Sequence, residues 1–398
     1  MEKTNVSAGF VVMAKPVGSL CNLRCTYCYY LDAGKRNGEE TQERMSYETL
    51  EALIRQHIEG NPGPAVQFNW HGGEPLLAGL DFYKKAVELE KKYLPEGWEC
   101  WNNIQTNGVL LDDEWCAFLA ENHFDIGLSI DGCELVHDRY RLHPDGRGSY
   151  EEVARGAELL KKHGILPDLL CTVNSFTAKN AQRVYRGLRS LHTGWIQFIP
   201  IVVRFPDGTL AEESVTPEAY GHFLTEVFRE WASHDLGKTD VQLFAETASS
   251  LAGIKANLCT MCETCGRVLI AEHDGSVYSC DHFVDPAHKI GNLLEMPLKE
   301  LADLPRQKAF GDAKRDSLTA KCRECAYLSI CHGGCLKDRF FVNERGEEGQ
   351  YYLCEGLYEY FSLAVPVLKQ CMEWSGQGLG SDMIMAKVRA EFKKRGYR

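Results

Sequence analysis

From residue 10 to about residue 235 the chain alternates short apolar, β-branched runs with longer stretches whose apolar residues recur every three or four positions. The first kind, at 10–15, 65–70, 99–104, 126–130, 169–173 and 195–199, predicts strands. The second kind, at 46–58, 82–93, 113–121, 150–163 and 178–191, predicts the helices between them. Ser149 with Glu152 reads as a capping box, and Gly164 as the stop of that helix. Repeated strand–helix units imply a parallel sheet with right-handed crossovers. Roughly six such units fall short of a closed eightfold barrel. In sheets of this kind ligands sit at the carboxyl ends of the strands. Thr216-Pro217 then opens a helix with an N-cap and a proline at its first position, and Phe223, Leu224, Val227, Phe228 and Trp231 form an apolar stripe along it. Such a stripe reads as core or interdomain packing, and residues 234–238 read as a linker.

Past that linker periodicity gives way to cysteines. Cys259-Thr-Met-Cys262-Glu-Thr-Cys265 is followed by a predicted hairpin, 267–272 and 276–280, around the tight turn Asp274-Gly275. Cys280 ends that hairpin and Asp281 follows it; Cys322, Cys325, Cys331, Cys335 and Cys354 come later. The 398 residues hold 17 cysteines, and no apolar run is long enough to span a membrane. No charged-then-apolar leader is visible either, so a cytoplasmic location is expected, where this many thiols means metal or redox work and not a disulfide framework. The length suits two domains, and 44% apolar with 25% charged residues is the composition of an ordinary globular protein. A formal charge of −12 argues against nucleic acid or an anionic membrane as partner and suits a basic peptide better.

The densest chemistry lies just after the first predicted strand, in Cys21-Asn-Leu-Arg-Cys25-Thr-Tyr-Cys28. Three thiolates on one tight loop can hold three irons of a [4Fe–4S] cube, leaving the fourth iron open to a small molecule. A closed zinc site would need a fourth ligand that the loop lacks, and core cysteines would not explain the spacing. Other predicted strands end in His71-Gly72-Gly73-Glu74-Pro75, Gln105-Thr-Asn-Gly108, Ser129-Ile-Asp-Gly132 and Thr172-Val-Asn174. Each is either a ligand contact or a turn into the next helix. For the later cysteines, two closed four-cysteine sites fit the count, whether zinc ribbons or clusters.

The Cys-x3-Cys-x2-Cys run with Tyr27 resembles the signature of radical S-adenosylmethionine (SAM) enzymes, and the second cysteine field resembles the SPASM extension of the peptide-modifying members. More narrowly, the chain to about residue 372 resembles anaerobic sulfatase-maturating enzymes. The residues that carry this are 21–30, 71–75, 105–108, 128–132, 274–283 and Cys-His-Gly-Gly-Cys at 331–335. The resemblance implies an α/β fold in which a partial (β/α)6 radical SAM barrel, residues 1–235, is followed by a Cys-rich SPASM domain, 236–373, holding two auxiliary Fe–S clusters. A flexible linker and a short basic tail helix, read as solvated, complete the chain at 374–398.

Carried over residue by residue, the resemblance implies three [4Fe–4S] clusters. Cys21, Cys25 and Cys28 would hold the SAM cluster. Cys259, Cys265, Cys280 and Cys335 would hold auxiliary cluster I, and Cys322, Cys325, Cys331 and Cys354 auxiliary cluster II. Cys100, Cys116, Cys133, Cys171 and Cys371 read as small core residues, while Cys262 lies between two assigned ligands and competes with them. SAM would meet Tyr27, Gly72, Gly73, Glu74, Gln105 and Ser129; the substrate would meet Tyr30 and His71, unless Tyr30 packs on the cluster loop. The implied reaction is anaerobic oxidation of a Cys or Ser side chain in a sulfatase precursor, within a Cys/Ser-x-Pro-x-Arg motif, to Cα-formylglycine. A 5′-deoxyadenosyl radical takes the Cβ hydrogen, Asp281 takes the thiol or hydroxyl proton, and an auxiliary cluster accepts an electron. Flavodoxin or ferredoxin would supply electrons. The competing readings are another SPASM enzyme that cross-links a ribosomal peptide, and a non-catalytic zinc-ribbon interaction protein.

Overall fold

The computed structural model describes residues 9–31, 44–191 and 194–397. Its strands are β1 (Val11–Lys15), β2 (Ala65–Trp70), β3 (Glu99–Thr106), β4 (Phe124–Ser129), β5 (Asp168–Val173), β6 (Trp195–Pro200), β7 (Asp240–Val241), β8 (Val268–Glu272), β9 (Ser276–Tyr278), β10 (Lys289–Asn292), β11 (Arg339–Phe341) and β12 (Gln350–Tyr351). Each of the six strands expected from the apolar pattern is present to within two residues at either end. The helices between them include Tyr47–Gly60, Leu80–Tyr93, Asp113–Glu121, Tyr150–Lys162 and Ala181–Ser190. The chain divides into two units. One runs to Ser129 and adds Arg141–Pro167 and Cys265–Ala313; the other comprises Ile130–Tyr140, Asp168–Thr264 and the chain from Lys314 onward.

In the first unit the strand order is β10-β9-β8-β1-β2-β3-β4. β1 to β4 pair in parallel, with Phe68 beside Val12 and Asn102, and Trp70 beside Ala14 and Ile104. Because side chains alternate, these partners share one face, and Val12, Phe68, Trp70 and Ile104 bury it against helices Tyr47–Gly60 and Leu80–Tyr93. Asn102 sits on that apolar face with its amide fully engaged, accepting from Trp70 Nε1 at 2.7 Å and donating to Glu90 at 2.9 Å. The other face carries Gln67, Asn69, Asn103 and Gln105 and is polar. The expected hairpin is present: β8 and β9 pair antiparallel, and Gly275, at φ +83°, occupies a turn position that a side chain would strain. β8 also runs parallel to β1 along its whole length, Val11 beside Val268 through Lys15 beside Glu272. The hairpin after the first cysteine group therefore extends the sheet at its first strand.

His57 is buried on helix Tyr47–Gly60, 1% exposed, against Phe10 and Phe68, with Nε2 3.3 Å from the Phe10 carbonyl. Burial holds its pKa down at about 4, from an ordinary 6.5. The imidazole is thus neutral when folded and protonates more readily when unfolded, so its contribution is present above pH 6.5 and is lost as pH falls toward 4. Between pH 7 and 5 we expect His57 alone to remove about 2 kcal/mol of unfolding free energy. Urea titrations at both pH values check this, and a His57→Phe variant should lose that part of the pH dependence.

In the second unit β5, β6 and β7 form a parallel run, with Leu169 beside Ile196 and Trp195 beside Asp240. The expected linker at 234–238 leads directly into β7. Thr216 caps helix Pro217–His234 as expected, its Oγ1 accepting from Ala219 N at 3.3 Å. The stripe on that helix is core: Phe228 packs on Phe244 and Tyr360, at ring distances of 5.1 and 5.9 Å. Two local expectations fail. Ser149 does not cap its helix; its hydroxyl is spent on the Arg141 carbonyl, to which it donates, and Glu152 pairs with His143. The tail is not a solvated helix on a linker. Helix Cys354–Gly376 runs through the expected start of the linker, and in helix Ser381–Lys394 Ile384, Met385, Val388 and Phe392 are buried. Their spacing buries one face while Arg389 donates to the Ser233 carbonyl at 2.5 Å, docking the tail on helix Pro217–His234.

Candidate active site

In the first unit the carboxyl end of β1 leads through Pro16–Leu20 into the loop bearing Cys21, Cys25 and Cys28. Leu23, 1% exposed, anchors that loop, and Arg24 N donates to the Leu142 carbonyl at 2.7 Å. Cys28 N closes the turn on the Cys25 carbonyl at 3.1 Å, and Leu23 N donates to Cys21 Sγ at 3.4 Å. Tyr27 is buried, its ring 5.8 Å from the Arg141 guanidinium. Burial, with the charges of Glu74, Cys25 and Cys28, pushes the Cys21 thiol up to about 12. Three half-buried thiols in one another's field suit a cationic iron centre, which deprotonates coordinating thiols outright.

The turn after β2 is stapled to this loop through backbone. Gly73 N donates to the Gly18 carbonyl at 2.9 Å and Glu74 N to the Leu20 carbonyl at 2.8 Å. A Cβ on Gly73 would lie 2.0 Å from the Leu20 oxygen, so only glycine permits the approach. Glu74 is fully buried. Its Oε1 accepts from Leu76 N at 3.0 Å and Thr106 Oγ1 at 2.8 Å, and its Oε2 from Asn107 N at 2.8 Å. The carboxylate therefore ties the ends of β2 and β3 together, and burial raises its pKa to about 7 against those hydrogen bonds. His71 and Gln105, expected to face different ligands, bond to each other, Nε2 to Oε1 at 2.8 Å. Burial lowers the imidazole pKa, and its Nδ1 has no hydrogen-bond partner among the described residues. Asn107 donates to Asn22 at 2.8 Å, while Ser129 ends β4 half-buried. In the second unit the turn reading holds at one strand end, where Asn174 accepts from Thr177 N at 2.8 Å. Asp131 is engaged across strands instead, accepting from Thr172 N at 2.7 Å and from its hydroxyl at 3.0 Å.

The β1–β8 pairing sets the hairpin beside β1, and the turn after β9 brings Asp281 to the side chain of Lys15. Its Oδ1 lies 2.5 Å from Nζ of Lys15, which is 1% exposed, and its Oδ2 accepts from the Tyr29 hydroxyl. Burial alone would raise the Asp281 pKa. The charges of Lys15, His71 and His282 outweigh it, and the carboxyl is held well below the ordinary carboxylate range. Asp281 is therefore an ionised acceptor throughout the physiological range, not the raised-pKa base that general acid–base arguments favour. Tyr30 is buried at 4% exposure among Ile270, Tyr278 and Val284, and its hydroxyl donates to Glu272. Its ring packs chiefly on the hairpin of β8 and β9, with Met13 and Cys28 beside it. Lys15 and Tyr29 escaped the sequence reading. The signal for Lys15 was a cation closing an otherwise apolar strand beside the cysteine loop, and Tyr29 carried no local signal at all.

Among the later cysteines, Cys322, Cys325, Cys331 and Cys354 line one cavity of about 440 Å³ in the second unit, with Gln350 and Tyr351. Burial and the neighbouring thiols push Cys331 up to about 11 and Cys354 up to about 12. Cys259 and Cys335 also lie in the second unit, where burial and the Asp338 charge push Cys335 up to about 12; Cys265 and Cys280 lie in the first, at the entry and exit of the hairpin. The Cys262 thiol donates to the Ala256 carbonyl at 3.1 Å, turned onto backbone. Cys116, Cys171 and Cys371 are buried core residues.

Residues 16–180 match the family model of the Radical SAM superfamily, and residues 259–326 match that of an iron-sulfur cluster-binding domain, SPASM. The chain is 43% identical to a serine-type anaerobic sulfatase-maturating enzyme of Bacteroides thetaiotaomicron, with 90% of each chain covered. It is 32% identical to a cysteine-type anaerobic sulfatase-maturating enzyme of Clostridium perfringens, over 90% of this chain and 96% of that one. Its fold matches the structure described as native anSMEcpe with bound AdoMet and Cp18Cys peptide at a TM-score of 0.82 and 31% identity, covering 91% of this chain and 98% of the other. The expected α/β architecture, a radical SAM domain followed by a SPASM domain, holds.

Proposed function

This chain belongs to the anaerobic sulfatase-maturating enzymes, and we infer that it is a radical SAM oxidoreductase that converts a Cys or Ser side chain of a sulfatase polypeptide to Cα-formylglycine. Beyond family membership, the observation that carries the reading is the pairing of Asp281 with buried Lys15, the last residue of β1, just before the loop that bears Cys21–Cys28.

When bound, the Cys21/Cys25/Cys28 cluster and SAM supply the 5′-deoxyadenosyl radical that removes a hydrogen atom from the substrate Cβ. The chain's own residues do the rest. The Gly72–Glu74 turn, fixed to the cysteine loop by two backbone hydrogen bonds, holds the two segments in one geometry. We assign SAM contacts to Tyr27, Gly72, Gly73, Gln105 and Ser129, with Glu74 shaping the turn. His71 Nδ1, which has no hydrogen-bond partner among the described residues, is assigned to the substrate. Asp281 takes the substrate's thiol or hydroxyl proton, and the one electron still to be removed would pass to an auxiliary cluster. Lys15 keeps the carboxylate ionised, so proton transfer becomes favourable only as loss of the Cβ hydrogen makes the substrate group more acidic. A thioaldehyde from Cys then needs water to yield the aldehyde and hydrogen sulfide; Ser gives the aldehyde directly.

We propose a Cys/Ser-x-Pro-x-Arg motif in the substrate, flavodoxin or ferredoxin as electron donor, and three [4Fe–4S] clusters with the ligand sets given above. The 440 Å³ thiol-lined cavity supports the second auxiliary set. We place the functional division at residues 1–235, 236–373 and 374–398, with both family-model matches falling inside the first two. We also propose a cytoplasmic location; among the described residues no helix is long and apolar enough to cross a membrane.

Anaerobic mass spectrometry tests the reading. Reduced, iron–sulfide-reconstituted protein with SAM is given peptides carrying either motif. A loss of about 18 Da from Cys or about 2 Da from Ser, with an aldehyde-reactive product, is expected. Release of 5′-deoxyadenosine with both peptides unchanged would overturn the substrate assignment.

A further inference from the structure

We propose that Tyr29 is a positioning residue for this oxidation, fixing the Asp281 carboxylate in the orientation from which it takes the substrate's proton. The proposal rests on the acceptor role given to Asp281 above. The two carboxylate oxygens are held unequally. On one side, Oδ1 faces Lys15 Nζ at 2.5 Å, and that ammonium lies 3.4 Å from the centre of the Tyr30 ring. Tyr30 is 4% exposed and fixed in turn by its bond to Glu272. This side is closed. On the other side, Oδ2 accepts from the Tyr29 hydroxyl, and Tyr29 is 39% exposed. A polypeptide approaching from solvent therefore meets the Oδ2 side of the carboxylate.

An ion pair to one oxygen fixes distance but not rotation, because the terminal torsion of an Asp side chain is broad. A second donor on the other oxygen sets that rotation. The Tyr29 ring is itself held, edge-on to His282 at 5.6 Å and 86°, and to Tyr30 at 6.2 Å and 61°. The hydroxyl's place is thus set by packing as well as by its hydrogen bond. An ionised carboxylate has about four acceptor sites, so with Lys15 and Tyr29 in place it still has room for the substrate's hydroxyl or thiol. Tyr29 follows Cys28 directly, so the orientation of the acceptor is tied to the loop that carries the first three cysteines.

Tyr29→Phe keeps the ring contacts and removes only the donor. In the reconstituted full chain, formylglycine formed per 5′-deoxyadenosine released should fall about tenfold, the size expected for a hydrogen bond to a charged group. The loss should appear in kcat, with the peptide KM within about twofold of wild type, since a positioning defect acts on the reacting geometry and not on docking. Iron content should not change, and any fall in Tm should be that of one lost hydrogen bond. An unchanged product ratio, a loss confined to KM, or a drop in iron would each overturn the proposal. Wild-type protein run alongside separates the two readings: if it forms no formylglycine, the parent assignment fails; if it does and Tyr29→Phe matches it, this inference alone fails.

Discussion

An Asp281→Asn enzyme is expected to go on releasing 5′-deoxyadenosine while its formylglycine yield falls by about 10²–10⁴, the range that a positioned proton acceptor contributes. The amide is nearly isosteric and still accepts from Tyr29, so the shape of the site is kept and the charge is lost. The change also leaves Lys15, 1% exposed, without its counter-charge. Breaking a buried pair in this way costs about 3–5 kcal/mol of stability, so a lower Tm should accompany the lost yield. A Lys15→Met, Asp281→Asn double variant separates the effects: stability should recover, because neither charge is left unpaired, while the yield should stay low. A double variant that also regained yield would assign the loss to folding and remove Asp281 from the chemistry. Formylglycine by mass spectrometry and Tm by calorimetry supply both readouts.

A Gly73→Ala enzyme should lose SAM cleavage itself, by about a hundredfold or more, since a displacement of about 1 Å in a positioned site carries a penalty of that order. The new methyl would sit 2.0 Å from the Leu20 carbonyl oxygen and 2.8 Å from the Ser19 carbonyl carbon, both backbone atoms with no rotamer to move to. Either the turn after β2 or the start of the cysteine loop must shift, and the hydrogen bonds from Gly73 and Glu74 that join them are lost. Iron content should fall by the share of one cluster. Gly194→Ala is the control: nothing among the described residues lies within 4 Å of its added Cβ, and near-wild-type iron and cleavage are expected. Wild-type cleavage in Gly73→Ala would mean that the close approach of the two segments is dispensable.

Much of this was legible in the residues. The apolar alternation of 65–70 gives β2, and the same pattern leaves Gln67 and Asn69 on a polar face. The spacing of Cys21, Cys25 and Cys28 limits them to one loop, and the Asp-Gly pair marks the β8–β9 turn. These are local matters, decided by period, turn chemistry and ligand count within a few residues. Roles assigned from single residues fared less uniformly. Glu74 and Gln105 are engaged by neighbouring strand ends and by His71, Tyr30 turned inward, and the tail helix found a surface for its apolar face.

By itself the sequence determined the order of the first strands and helices, the setting apart of the Cys21–Cys28 run from a later cysteine field, and the family. Its signals for these lie within windows shorter than one strand–helix unit. Only the tertiary structure decided that β8 runs beside β1, some 250 residues away along the chain, because a strand's edge hydrogen bonds carry no address in its side chains. That pairing, with the turn after β9, brings Asp281 to Lys15 and Tyr29. A carboxylate that local sequence left as either turn cap or proton acceptor thereby becomes the ion-pair partner of a buried lysine.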